Sequence, residues 1–504
     1  MSKIIPMQAL LDKPLDIVSG NPDYEKLIFD LDLIDLFLSH AKLEERAMEY
    51  FIARAEKWHG KALKNKQIEK AQREGVWSLR CSILRKFLNL PLRTFALQLA
   101  GCPLFQRFCR INRWLCTNTF SHQKINELEN ALSPEIVKEY NLMLNSNVIL
   151  NAETTKKLKF EKSFDLENLY GDTTCMKVNI HYPVDWLLIR DMIRTSMVLV
   201  HQIRKSGIKI RMPYSPSECT SGINKLCIEM HNSYRCKDAN KKRKAIFRKM
   251  KKYLKQVLGH VESHMIALKE SPAQSNLSHL AATRIVNRLE EILKMQEEVV
   301  RIAHTRIIKE QIVVSEDKIL SIYESDVHVI TRNKAGIKVE FGNTMYLIEQ
   351  QDGFIVDYLL LKDVSPGDPK LGIESLDRIL KDYSNKKIKS MVFDRGFDSK
   401  DFKKKVEELN EKNQSKIEYN VLPRNPIELK ERMKDENFKM YHKRRSSTEA
   451  KIAHVKRIAD NPMKQKGIRN RQVHLGLSVM VANLKRLLMI MQEQKEKDRK
   501  TQAA

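Results

Sequence analysis

Along the first 150 residues the apolar positions recur at helical spacing. Leu27, Leu31, Ile34 and Leu38 form a stripe within Leu27–Ala53, and the charged stretch Glu45–Lys70 continues in helix-forming residues. Three short units follow, Trp77–Leu88, Leu92–Leu99 and Leu104–Trp114. Pro91 precedes the second and Gly101-Cys102-Pro103 the third, both start signals after a break. Arg80, Arg85, Arg93, Arg107, Arg110 and Arg113 are distributed over these units. The pattern fits a helix-turn-helix-like DNA module, and it fits equally an ordinary helical bundle with a solvated basic face.

From about residue 160 the period changes. Tyr170–Ile180 is rich in strand formers and ends at His181-Tyr182-Pro183, because proline cannot donate to a ladder. Residues 185–310 return to helix. Lys237–Gln256 holds ten Lys/Arg and one acid, yet Ile246, Phe247, Met250, Leu254 and Val257 keep one apolar stripe, as an amphipathic basic helix does. Lys244, Arg248, Lys251 and Lys255 share a face of it, where phosphate contact is expected over a merely solvated surface. Ile285–Lys309 repeats Ile285, Leu289, Ile292, Val299 and Ile302, as the partner in a helical hairpin would.

Residues 311–425 read as α/β. Strands are expected at Lys318–Ile330, Ile337–Ile348 and Phe354–Leu361, with a hairpin turn at Gln350–Gly353. A loop at Ser365–Pro369 leads to a helix over Leu371–Tyr383, a strand over Ile388–Phe393, a helix over Lys400–Leu409 and a strand over Ile417–Leu422. Helices over Ser446–Ile458 and Val473–Met491 close the chain before a polar end expected to fray.

Charge narrows the function classes. The 504 residues carry 90 Lys+Arg against 63 Asp+Glu, a formal +27 spread along most of the chain, which favours a polyanionic partner. With 42% hydrophobic and 30% charged residues the chain is too apolar for a disordered one and long enough for two to four domains. No run of apolar residues approaches a membrane span, and Met1–Leu11 lacks the apolar core of a secretory signal. Eight cysteines suit a reducing cytoplasm. Cys102, Cys109 and Cys116 recur at sevens and Cys219, Cys227 and Cys236 more loosely, without the paired spacing of a zinc knuckle. Buried thiols are therefore expected over a metal role for Cys227, His231 and Cys236.

Three acids stand in unusual settings. Ile388–Phe393 runs straight into Asp394-Arg-Gly-Phe-Asp398, and an acid at the carboxyl end of a buried strand is where open α/β sheets place ligands. Asp172 lies on the isolated strand in Gly-Asp-Thr-Thr. Either alone reads as a cap or turn aspartate. Arg445, Glu449 and Lys456, at steps of four and seven, share a helical face that presents an acid between two cations. Such a face is expected beside a metal holding a phosphodiester, and is also what a plain surface salt bridge looks like. Asp398 and Asp185 read as a cap and a turn residue.

Together these residues resemble a known family. Arg445-x3-Glu449-x6-Lys456 is similar to the Tyr/Arg/Glu/Lys signature of bacterial insertion-sequence transposases with an Asp-Asp-Glu triad. Phe393-Asp394-Arg-Gly-Phe397 looks like their second-aspartate motif. Gly171-Asp172-Thr-Thr with Asn179-Ile-His-Tyr-Pro183 looks like their first, and His474-Leu-Gly-Leu with Ala482-Asn483-Leu resembles their closing helix. The likeness spans roughly 75–490. Tyr441 departs from it, lying one residue further from Arg445 than the family's Tyr-x2-Arg; Arg444 would restore that spacing at the expense of the Arg–Glu one.

The resemblance implies an α/β fold with an RNase H-like catalytic core. A helical N-terminal region (1–150) would bind DNA, residues 151–184 would carry the first core strand, and 185–310 would be a helical basic insertion. Residues 311–490 would complete the core, and 491–504 would be a flexible tail. It further implies that Asp172, Asp394 and Glu449 hold two Mg²⁺ or Mn²⁺ ions, with Lys456, Arg445 and Tyr441 on DNA. The implied activity is metal-dependent cleavage at element ends and 3′-OH strand transfer into target DNA. The enzyme would act as a homodimer on double-stranded terminal repeats in the bacterial cytoplasm, at the nucleoid and away from membranes. An RNase H-fold nuclease, or an inactive transposase-derived DNA-binding protein, are the alternatives.

Overall fold

The computed structural model describes residues 4–6, 14–15, 18–111, 119–314, 317–334, 337–413 and 416–503. Arg113, Trp114 and Cys116 lie outside them. The described residues form six strands: β1 (Asn168–Lys177), β2 (His328–Lys334), β3 (Ile337–Gln350), β4 (Ile355–Leu360), β5 (Ser390–Phe393) and β6 (Glu418–Val421). The chain divides into two compact units, one of residues 1–177 with 343–504, the other of 178–342.

In the first unit the amino-terminal half is helical, as its periodicity predicts. Helix Pro22–His40 starts where the Asn21 side chain accepts the Tyr24 N–H at 3.1 Å. Helix Leu43–His59 stops at Gly60 in the left-handed conformation. The next helix, Asn65–Phe87, is continuous where the sequence reading broke it between Lys70 and Trp77. Gly75 explains this. A Cβ there would stand 2.6 Å from the Ala47 carbonyl oxygen, so the glycine marks close helix–helix contact and not a break. Helices Leu92–Gly101 and Pro103–Phe108 follow the predicted starts.

The sheet of this unit runs β4-β3-β1-β5-β6. β3 and β4 are antiparallel, whereas β1, β5 and β6 are parallel. Parallel strands need crossovers, and helices Asp368–Asp382 and Lys400–Asn413 supply them. Helix Glu436–Ile458 begins ten residues before the predicted start, because the Asp435 side chain caps it by accepting the Asn437 N–H at 2.8 Å. The last helix, Ile468–Ala503, also outruns its prediction and takes in the end expected to fray. It is long and apolar enough to cross a membrane, with a window of mean hydropathy 1.4, but 83% of that window is buried inside the protein. It is a core helix. It packs against Pro134–Leu144, Asn65–Phe87, Glu436–Ile458 and β4. Gly476 lies on it where a Cβ would come within 2.4 Å of the Tyr358 hydroxyl, so the glycine of His474-Leu-Gly-Leu is a packing position.

The second unit is a four-helix assembly of Asp185–Lys205, Pro216–Asn232, Ala239–Glu270 and His279–Ile307. Ser215 and Glu218 form a reciprocal cap at the start of the second helix. The stripes predicted from the sequence make its core: Phe247, Met250 and Leu254 pack with Ile189, Ile193, Ile223, Leu289 and Ile292. This unit extends past the expected 185–310 boundaries. Val178, Leu320 and Val327 cluster with Ile180, Val329 and Phe341, and β2 pairs antiparallel with the Ile337–Gly342 part of β3. The strand expected over Lys318–Ile330 starts only at His328, because local bonds such as Tyr323 N–H to Ser321 Oγ (3.1 Å) turn the chain first.

Candidate active site

The position of the two aspartates follows from strand register. β1 and β5 are parallel with Asn168 opposite Ser390 and Tyr170 opposite Val392. Carried two residues past the last paired positions, this register would bring Asp172 and Asp394 side by side, about 4.8 Å apart at the backbone, and the Asp394 charge does act on Asp172. Gly171 permits this approach: a Cβ on it would lie 2.2 Å from the Phe393 ring. The Gly-Asp-Thr-Thr glycine is thus a packing requirement of the site. Asp394 is oriented by the turn that follows it, where Gly396 N–H donates to Asp394 Oδ1 at 2.9 Å. Thr173 N–H donates to Asp172 Oδ1 at 2.7 Å.

Helix Glu436–Ile458 brings the remaining charges. Arg445 Nη1 lies 3.9 Å from Asp172 Oδ2, both side chains being 17% exposed. Among the described residues the buried Arg445 Nε has no hydrogen-bond partner. Lys456 Nζ donates to Thr174 Oγ1 at 2.7 Å, two residues along β1 from Asp172. Glu449 is exposed. Burial and the Asp394 carboxylate push the Asp172 carboxyl up to about 6, with Glu449 adding to the rise and the Thr173 N–H and Arg445 opposing it. Asp172 therefore feels both other acids. Arg444 has a different job. It bonds Glu349 (3.1 Å) and the carbonyls of Gln350 and Gln351, and stacks over Tyr170 at 4.8 Å, while Thr448 also donates to Glu349. It anchors the helix to the β3–β4 hairpin and leaves Arg445 facing the acids.

Tyr441 is on the same helix but in other company. Burial and Glu418 raise its phenol, against Lys389, so it lies at the start of β5 and β6, whereas Asp394 follows the end of β5. The structure brings Asp172, Asp394, Glu449, Arg445 and Lys456 into one region and leaves Tyr441 beside it. Asp398 and Asp185 are structural: Asp398 Oδ2 accepts the Arg424 N–H at 2.9 Å, and Asp185 pairs with Arg306 at 2.7 Å.

One acid escaped the sequence reading. Asp368, within the loop expected at Ser365–Pro369, begins helix Asp368–Asp382, and its Oδ1 accepts the Thr173 hydroxyl at 3.0 Å. A Cβ on Gly396 would stand 2.8 Å from Asp368 Oδ2 and 3.0 Å from Asp394 Oδ1. Only the fold joins these positions, and a turn-like Ser-Pro-Gly-Asp-Pro gives no signal of it. The donors are hard carboxylate oxygens, the type that suits Mg²⁺ or Mn²⁺. They converge pairwise; among the described residues no three His, Cys, Asp or Glu are arranged to hold one metal ion. Cys227 is buried, its thiol pushed up to about 11.

Two proposed DNA surfaces change in detail. On the basic helix Lys244 is half-buried and paired with Glu310 at 2.9 Å, whereas Arg248, Lys251, Lys252 and Lys255 are exposed on one face. In the amino-terminal units Arg80 binds Glu44 and Asp35, Arg85 binds Glu129, Arg107 binds Asp32 and Arg110 binds Asp35. Those arginines serve internal ion pairs, and Arg93 stays exposed. Compared with protein families, curated proteins and solved structures, the chain matches none.

Proposed function

We propose that the protein is a DNA transposase whose Asp172, Asp394 and Glu449 form a metal-dependent phosphodiester-cutting site. One observation carries the reading: Asp172 on β1 lies in the field of Asp394, which follows the neighbouring parallel strand β5, and of Glu449 and Arg445 from a separate helix. An RNase H-like core is the expected setting for this pair, with Asp172 on the first core strand, β1, and Asp394 after the fourth, β5, and these two strands lie side by side. Two acids of the sheet and a third from a helix repel unless cations lie between them. Mg²⁺ or Mn²⁺ ions held by these carboxylates would supply charge to the attacking and leaving oxygens of an in-line displacement.

Arg445, with an unpartnered buried Nε, would grip the phosphate being cut, and Lys456 a neighbouring one. Tyr441, eight residues or about 12 Å of helix from Glu449, would touch DNA outside the acid cluster. Water would first cleave the strand at the element end, and the freed 3′-OH would then attack target DNA. No protein nucleophile takes part. Incubating the protein with Mg²⁺ and DNA carrying the inverted repeats that flank its coding region should yield joined target products from a pre-cut 3′-OH end. Cleavage without joining would make it a nuclease of the same fold.

The basic helix would hold the element ends. Changing Arg248, Lys251, Lys252 and Lys255 together to Glu should weaken duplex binding for all sequences. Each lost phosphate contact lowers the slope of log affinity against log salt by ~0.9. A fluorescence-anisotropy salt titration with the wild-type slope would show that this face does not contact phosphate.

A further inference from the structure

Helices Asn65–Phe87, His122–Asn130 and Ile468–Ala503 surround a cavity of about 450 Å³ in the first unit, and none of its lining residues belongs to the acid cluster. Its size suits a small molecule. Lys86 lines it and is 2% exposed. The Lys86 Nζ donates to Ser478 Oγ at 3.0 Å and lies 2.9 Å from His474 Nδ1 and 3.1 Å from Nε2. Because Nε2 is turned to the Ala459 carbonyl at 2.9 Å, it carries the ring proton, and Nδ1 accepts from the lysine. Both partners of Lys86 are neutral. The nearby carboxylates are committed elsewhere: Glu129 takes two bonds from Arg85, at 2.6 and 2.8 Å, and Asp460 pairs with Lys464 at 3.9 Å. Burial and the Arg85 charge hold the Lys86 amine well below the usual lysine range, against the pull of Glu129 and Asp460. A lysine kept only for structure reaches an acid or runs its head out to water. Lys86 does neither, and two bonds leave the third position of its Nζ unused.

The rest of the lining favours negative charge. Lys464 and Lys466 stand exposed at the rim, and Asn470 brings the first turn of helix Ile468–Ala503, the positive end of its dipole. Apart from Lys86, the ionised lining groups are Arg85, Lys464 and Lys466 against Glu129 and Asp460, and 3 − 2 leaves one positive charge. The Arg85 guanidinium is taken by Glu129 and the Leu90 carbonyl, so no fork is free for a planar carboxylate. Lysines act as point charges, which suits a tetrahedral oxyanion. We propose that this cavity is a binding site for a small oxyanion of the phosphate class, with the Lys86 ammonium as its counter-ion. Binding then brings a proton with it. A phosphodiester inside a duplex cannot reach a lysine at this depth, so the ligand is free phosphate or a phosphate monoester. The site gives His474 a purpose and is independent of the metal-dependent reading above.

The test is binding of sulfate and of inorganic phosphate to the full-length protein by calorimetry at constant ionic strength. Sulfate does not titrate near neutral pH, so its binding at about pH 8.5, in buffers of different ionisation enthalpy, should take up close to one proton. Lys86→Met keeps the side-chain length, and should weaken both anions at least tenfold and abolish the uptake. Changing Lys464 and Lys466 together to Ala alters only exposed side chains, and should weaken binding about threefold with the proton uptake unchanged. This variant and the wild-type proton count decide the matter even where Lys86→Met does not fold. Tighter binding of phosphate than of adenosine monophosphate makes the ligand the free ion, and the reverse makes it a monoester; either supports the site. Wild-type affinity in Lys86→Met, binding without proton uptake, or no binding by the wild-type protein would overturn the proposal, and none of these touches the acid cluster.

Discussion

Replacing Asp172 with asparagine is expected to lower metal-dependent DNA cleavage by about three orders of magnitude and, without metal, to raise stability. The first effect follows from losing a hard ligand: charge stabilisation worth several kcal/mol disappears, at ~1.4 kcal/mol per tenfold in rate. The second follows from the carboxyl's displacement from 3.8 to about 6, caused mainly by burial and by Asp394. The fold disfavours the ionised form. Well below pH 3.8 the group is protonated in both states and its ionisation costs the fold nothing. As pH rises from 4 through 6 the unfolded chain ionises first, and relative stability is lost; above that the full cost applies, on the order of 2–3 kcal/mol. Asparagine removes it. Thermal melts in chelator from pH 4 to 8 should show the variant's advantage opening between pH 4 and 7. A constant difference across that range would mean that Asp172 is not held among the other acids.

Arg80→Ala is expected to be the most destabilising change in the amino-terminal half, by about 3–5 kcal/mol, because it removes a buried guanidinium on which Asp35, Glu44 and the Phe108 carbonyl converge and leaves the two half-buried acids with Arg110 alone. The Arg80 side chain is 1% exposed; it binds Glu44 and Asp35 and donates to the Phe108 carbonyl at 2.7 Å. Three helices meet on this one guanidinium. Urea unfolding of Arg80→Ala beside Arg93→Ala separates the two kinds of arginine: the first should lose most of its stability, and the second, on the surface, should stay within about 0.5 kcal/mol of wild type. A small loss for Arg80→Ala would return it to the DNA-facing surface read from the sequence.

The sequence made the helix faces and the strand ends legible, since both depend on short-range spacing. Arg445, Glu449 and Lys456 share one face because 3.6 residues make a turn, and Asp394 reads as a strand-end acid because Met391–Phe393 are fully buried. Long-range neighbours were hidden. Neither Asp368 beside Thr173 nor Arg80 between Glu44 and Asp35 has a sequence signature, because each depends on packing between distant elements. Gly75 gives no sequence signal of its contact with Ala47, which lets Asn65–Phe87 run unbroken beside Leu43–His59. Arginine-rich helices suggested DNA because charge in a sequence does not reveal its partner.

Glu449 exposes the central claim most directly. It is the one triad acid that comes from a helix, it is exposed, and its link to the others is its effect on Asp172. The decisive measurement is Mg²⁺-dependent cleavage of DNA carrying the flanking inverted repeats by Glu449→Gln, run beside Asp172→Asn, Asp394→Asn and the controls Asp398→Asn and Asp185→Asn. The account predicts that all three triad variants bind the DNA with wild-type affinity and fail to cut it, while both controls cut. Full cleavage by Glu449→Gln, or failure confined to the controls, would contradict it.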